Sequence, residues 1–151
     1  MRFLILFILL AACSFQPVFS EKDTDIFVAP ISGINGIELR NSLNAKFGGM
    51  HDQSAKYFLT VNLREPTTQY KAFEKTGDAT WQEVKLTASY VLKYDGKQIA
   101  SGSESASESY TFVRYLVASN ASHNNAVLNA IQALSEKISM RVITATQKNE
   151  N

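Results

Sequence analysis

The chain holds one thiol, and its position limits the chemistry it can do. Cys13 follows Leu10-Ala11-Ala12 and an unbroken apolar run from Phe3 to Leu10, which is preceded by Met1-Arg2. With no second cysteine, neither an internal disulfide framework nor a cysteine-based metal site can form. His51 and His123 lie in polar stretches, with no second ligand three or four residues away. They read as solvated surface histidines, and no metal site is expected. Ser103 in Gly102-Ser103-Glu104 lacks the elbow pattern of a nucleophilic serine, and no glycine-rich phosphate loop is present. Glu104 and Glu108 can pair only as surface carboxylates. No catalytic residue is expected, which leaves binding, assembly or scaffolding.

The order around Cys13 is that of a secretory signal: a positive start, an apolar stretch, then small residues. The apolar run is about half of the ~20 residues a membrane-spanning helix needs. Leu10-Ala11-Ala12-Cys13 resembles the bacterial lipobox. That resemblance implies diacylglyceryl transfer to the Cys13 sulfur, cleavage before Cys13 and acylation of the new amine. One acyl chain binds a membrane marginally at ~0.8 kcal/mol per buried methylene, whereas two or more hold stably. The alternatives are an ordinary signal peptide with Cys13 placed by chance, or an N-terminal anchor. Residues 1–12 are thus expected to be a removed signal peptide, 13–25 an acylated cysteine and tether, and 26–151 a single α+β domain. Ser14, rather than Asp, follows the cysteine and points to the outer membrane. No cofactor is expected beyond covalent lipid on Cys13.

What stands behind the tether is bounded by size and charge. A chain of 151 residues with 45% hydrophobic side chains has room for one domain with a real core. Lys and Arg number 15 against 14 Asp and Glu, so no strong field exists for nucleic acid or an anionic surface. Any anion must be met by a local cluster.

The patterning predicts a β-α-β-β-β-α order. Ile26 to Ile31 reads as a short strand broken by Pro30. Ile37, Arg40, Leu43 and Phe47 recur at helical spacing, with Asn35 as cap and Gly48-Gly49 as stop. Tyr57, Leu59, Val61 and Leu63 alternate with Phe58, Thr60 and Asn62, predicting a half-buried strand ended by Glu65-Pro66. Thr67 to Ala79 reads as a long connection. From Trp81 to Tyr94 the alternation is long, with Val84, Leu86, Ala88, Tyr90, Leu92 and Tyr94 on one face. Asp95-Gly96 is a hairpin signal, and Lys97 to Ser105 reads as its partner strand, poor in large side chains. From about Ser122 to Thr146, Val127, Ile131, Leu134, Ile138, Val142 and Ala145 form a helical stripe. A small mixed, mostly antiparallel four-stranded sheet with both helices on one face would bury these stripes.

Several of these segments, taken in order, resemble the LptE family, the lipopolysaccharide-assembly lipoproteins. Leu10-Ala11-Ala12-Cys13-Ser14-Phe15-Gln16-Pro17-Val18-Phe19 is similar to that family's opening, with Ser14 where the family has Gly. The strand Tyr57–Leu63, the Leu86–Tyr94 strand with its Asp95-Gly96 turn, Gly102, Ser109-Tyr110 and the closing helix through Ala133-Leu134 and Ile138 to Arg141 follow in the family's order. The resemblance spans nearly the whole chain. It implies a non-enzymatic, lipid-anchored protein on the periplasmic side of the outer membrane. Such a protein plugs and stabilises the LptD barrel and assists lipopolysaccharide insertion. The family's basic lipopolysaccharide contacts do not map cleanly here. Lys85, Lys93 and Lys97 are the candidates for phosphate groups on chemical grounds, with Lys97 across the turn from Lys93 and able to share a phosphate with it. A solvated strand face is the alternative for all three. A stand-alone periplasm-facing binding or scaffolding lipoprotein is the alternative for the whole chain, and an envelope hydrolase with an unrecognised site is the third.

Overall fold

Asp95 and Gly96 both take positive φ, 48° and 74°, the combination that a two-residue hairpin needs to match strand twist. They join the two longest strands of a computed structural model that describes residues 24–73, 79–112 and 115–150. The expected signal segment, Cys13, Gly77-Asp78 and Val113-Arg114 lie outside the described residues.

In chain order the elements are β1 (Ile26–Val28), α1 (Ile34–Lys46), β2 (Tyr57–Leu63), β3 (Thr67–Phe73), β4 (Ala79–Tyr94), β5 (Lys97–Thr111) and α2 (Leu116–Glu150). β4 organises the sheet. β5 runs antiparallel along one of its edges, from Trp81↔Thr111 to Tyr94↔Lys97. β2 and β3 divide the other edge, pairing residues 88–94 and 79–85 of β4. β1 adds in parallel outside β2, and α1 is the crossover that a parallel pair requires.

The fold class is the expected α+β, with two helices on a mixed sheet, but the sheet has five strands rather than four. The extra strand is β3, in the stretch read as a connection. Its residues from Thr67 to Lys71 are exposed, so it lacks the alternation that betrays a half-buried strand. The backbone of β4 beyond β2 supplies the partner it needs.

Alternation does mark the inner face. Val84, Leu86, Ala88, Tyr90 and Leu92 of β4 are buried with Tyr57, Leu59 and Val61 of β2. α2 lays Val127, Ile131, Leu134, Ile138 and Val142 over them, and α1 adds Leu39, Leu43 and Phe47. Ile37, expected on the α1 stripe, is 56% exposed; Leu39 takes the inward position. The α1 helix also starts earlier than Asn35 would cap it. Gly33 is the N-cap at φ 84°, with no side-chain cap, and Ile37 N donates to Gly33 O. The helices are tied by Ser42 Oγ, 2.8 Å from Gln132 Oε1 and 2.7 Å from Ser135 Oγ.

β5 is poor in large side chains because its inner face is a seat. Ala100, Gly102 and Ala106 alternate there, and the Tyr90 ring lies over Gly102, its cross-strand partner. Lys137 Nζ of α2 donates to Ser105 O at 2.7 Å and Arg141 Nε to Glu104 Oε1 at 3.1 Å. The helix starts at Leu116, six residues before the expected Ser122; apart from the buried Ser119 this added stretch is exposed and carries no apolar stripe to mark it. No helix among the described residues is long and apolar enough to cross a membrane.

Candidate functional site

The three candidate lysines separate once strand register is known. Lys85 lies opposite Thr67 and Ser107, and Lys93 opposite Phe58 and Gln98. Directly opposed residues share a face, so Lys85 and Lys93 both stand on the outer face, away from the helices. Eight residues separate them, about 26 Å at ~3.3 Å per residue. Lys97 lies opposite Tyr94, whose other neighbour is the buried Tyr57. It therefore belongs to the inner-face register. Lys93 and Lys97 thus flank the turn in opposite face registers, Lys93 paired with Gln98 and Lys97 with Tyr94.

A different lysine joins Lys93. The 53–56 segment and the β4–β5 turn enclose an open cleft of about 540 Å³, lined by Lys56, Phe58, Lys93, Tyr94 and Asp95 among others. Phe58 packs on Phe27 with ring centroids 5.0 Å apart, fixing the apolar wall. Lys56 sits at the mouth of β2, where its backbone N donates to Asp25 Oδ2 and Tyr57 N donates to Asp25 O. Asp52 beside the cleft accepts from Ser54 N and Oγ, which holds its carboxyl below the usual range. Neither Lys56 nor Lys93 has an ion pair among the described residues. Sequence reading missed Lys56 because its neighbourhood with Lys93 depends on β2 pairing with β4 across some thirty residues. The signal available was its place one residue before the first inward-facing side chain of β2.

At the other end of β4, Tyr110 Oη donates to Gln82 Oε1 and meets His123 Nδ1 at 3.0 Å, with the His123 ring edge-on to Tyr110. Burial, then the neighbouring Tyr70, pushes the Tyr110 hydroxyl up. His123 is thus a half-buried helical residue in a polar chain, not the solvated surface histidine the sequence suggested. Among the described residues no three His, Cys, Asp or Glu side chains are grouped to hold a metal.

No protein-family profile and no curated protein matches this chain. Solved structures do match its fold. A rare lipoprotein B from Shewanella oneidensis superposes with TM-score 0.66 at 13% identity, covering 83% of this chain and 98% of its own. A candidate lipoprotein from Caulobacter crescentus gives 0.67 at 20%, covering 83% and 92%. A minor lipoprotein from Acinetobacter baumannii gives 0.56 at 13%, covering 83% and 93%. At these identities the likeness establishes a shared fold.

Proposed function

We propose that the chain is a non-enzymatic outer-membrane lipoprotein of the LptE type, anchored on the periplasmic side through lipid on Cys13. In this reading it plugs and stabilises the LptD barrel and assists lipopolysaccharide insertion. One observation carries it: the Leu10-Ala11-Ala12-Cys13 order stands ahead of a fold that matches a rare lipoprotein B over 98% of that protein's length. The surface is compatible. The outer sheet face presents Ser101, Ser103, Ser105, Ser107 and Ser109 with Thr60, Asn62 and Ser89, hydroxyl and amide groups suited to the polar interior of a wide barrel. Lys85 and Lys93 on that face, and Lys97 beyond the turn, are the proposed contacts for lipopolysaccharide phosphates, each touching a different part of a large amphiphile.

The test is detergent pull-down from membranes through a C-terminal tag, with mass spectrometry of the mature N-terminus. Copurification of a large β-barrel with an acylated Cys13 is expected. An acylated chain that comes down alone would favour the second reading, a stand-alone periplasm-facing binding or scaffolding lipoprotein. A core in which this chain's own two helices cover the inner face of the sheet is the observation on that side. An unmodified Cys13 would defeat both.

A further inference from the structure

The cleft between the 53–56 segment and the β4–β5 turn lies at the end of the sheet where the described chain begins. Thr24 donates to Phe47 O through both N and Oγ1, and Asp25 bonds the first residues of β2. Thr24 lies eleven positions after Cys13, at most ~40 Å of extended chain. Whatever surface holds Cys13 is therefore within reach of this pole, while the far end of β4 stands a further ~50 Å away along a 16-residue strand.

The cleft has the composition of an anion site with an apolar shoulder. Its lining carries two lysines against the single acid Asp95. The nearby carboxylates are already engaged: Asp52 by Ser54, and Asp25 by the backbone N of Lys56. Lys56 and Lys93 keep their ammonium groups unpaired among the described residues. Phe58 and Tyr94 supply partly exposed ring surface beside them. Its volume of about 540 Å³ is in the range of small-ligand sites, ~300–1,000 Å³.

We infer that this cleft binds the phosphate of an anionic phospholipid headgroup in the leaflet that carries the anchor, with Lys56 and Lys93 on the phosphate and Phe58 against the glycerol and upper acyl carbons. The site orients the domain with the β4–β5 turn toward the membrane. It shares Lys93 with the proposed lipopolysaccharide contact along the outer face and adds Lys56 and Phe58 to it, and it rests on the anchored reading only for the identity of the leaflet.

The experiment uses the full chain in neutral detergent micelles, with backbone amide shifts of Lys56, Phe58 and Gly96 followed by NMR. Dihexanoyl phosphatidylglycerol should give saturable shifts at these three amides, and dihexanoyl phosphatidylcholine should bind more weakly. Lys56→Gln/Lys93→Gln, shown to be folded by circular dichroism, should weaken phosphatidylglycerol binding on the order of tenfold, the sum of two modest exposed-charge contributions. Lys71→Gln, on β3 at the far end of β4 from the cleft, should leave it unchanged. Inorganic phosphate binding as tightly as the lipid would make this a free-phosphate site and overturn the headgroup assignment. No saturable shift with any probe, or unchanged affinity in the double variant, would overturn the site. An unmodified Cys13 in mass spectrometry would instead remove the anchored reading, and would leave this titration interpretable because the short-chain lipids need no anchor.

Discussion

The two faces of the β4–β5 ribbon are built from the same strands and obey opposite rules. On the inner face Val84, Leu86, Ala88, Tyr90 and Leu92 are buried under α2, and β5 answers them with Ala100, Gly102 and Ala106. On the outer face the same strands alternate through Lys85, Ser89, Lys93 and the odd-numbered serines of β5, exposed or half-exposed. Inside, each side chain is set by its neighbours' shapes; outside, by compatibility with water. Substitution costs should therefore fall steeply from inner to outer face, and the comparison can be attacked at any step of that gradient.

The largest effect is expected at Leu134, fully buried where α2 meets the sheet. Leu134→Asp puts an unpaired carboxylate among apolar side chains, which costs several kcal/mol. Loss of the cooperative thermal transition is the expected result. A melt that matches wild type would mean that α2 is not packed on this face.

Gly102 comes next. A Cβ there would lie 2.8 Å from Tyr90 Oη and 3.0 Å from the ring carbon that bears it, closer than carbon and oxygen tolerate. Gly102→Ala should cost about 1–3 kcal/mol through displacement of the ring. The same change made with Tyr90→Phe, which removes the nearest atom, should cost less than the two single changes added together. Strict additivity in denaturant titrations would mean that the ring does not seat on Gly102.

Polar side chains that enter the inner layer give a smaller loss. Tyr110→Phe removes the hydroxyl that Gln82 accepts from and His123 meets. Gln82 is buried, so its amide oxygen would be left unsatisfied, at about 1–3 kcal/mol. A chemical melt with unchanged midpoint would show that water replaces the hydroxyl.

This gradient also explains what the sequence disclosed. Wherever one face was buried and the other wet, period-two alternation was visible: Tyr57 to Val61, Val84 to Leu92, and the hairpin between Tyr94 and Lys97. The α2 stripe from Val127 to Val142 was legible for the same reason at period 3.6. β3 was not, because Thr67 to Lys71 is exposed throughout and the strand exists through backbone pairing with β4, which leaves no mark on side-chain polarity. The start of α2 was hidden likewise, since Leu116 and Val117 are apolar yet exposed. In α1 the stripe held at Leu43 and Phe47 and failed at Ile37, which is exposed; Leu39 is buried in its place, and Gly36 packs closely against Ile31. The candidate site was half legible. Lys93 could be chosen from the hairpin alone, whereas Lys56 beside it and Lys97 away from it follow from pairings that no local pattern encodes.

The smallest effect belongs to the outer face, and pH gives it a sign. Lys71 Nζ lies 2.7 Å from Glu83 Oε2, and this hydrogen bond, with a lesser one from Ser107, holds the Glu83 carboxyl below the usual carboxylate range. A group whose folded pKa is depressed contributes stability above its unfolded pKa, and that contribution is lost as pH falls through the folded value. Lys71→Met should therefore be slightly less stable than wild type at neutral pH. The two should converge as pH drops below the carboxylate range and Glu83 is protonated in both. The pair is solvated, so added salt should shrink the neutral-pH difference as well. Melts of both chains across pH and ionic strength check this. A difference that persists in acid would mean that the Lys71 stem, rather than its charge, is what β3 contributes to β4, and the outer face would then depend on packing as the inner face does.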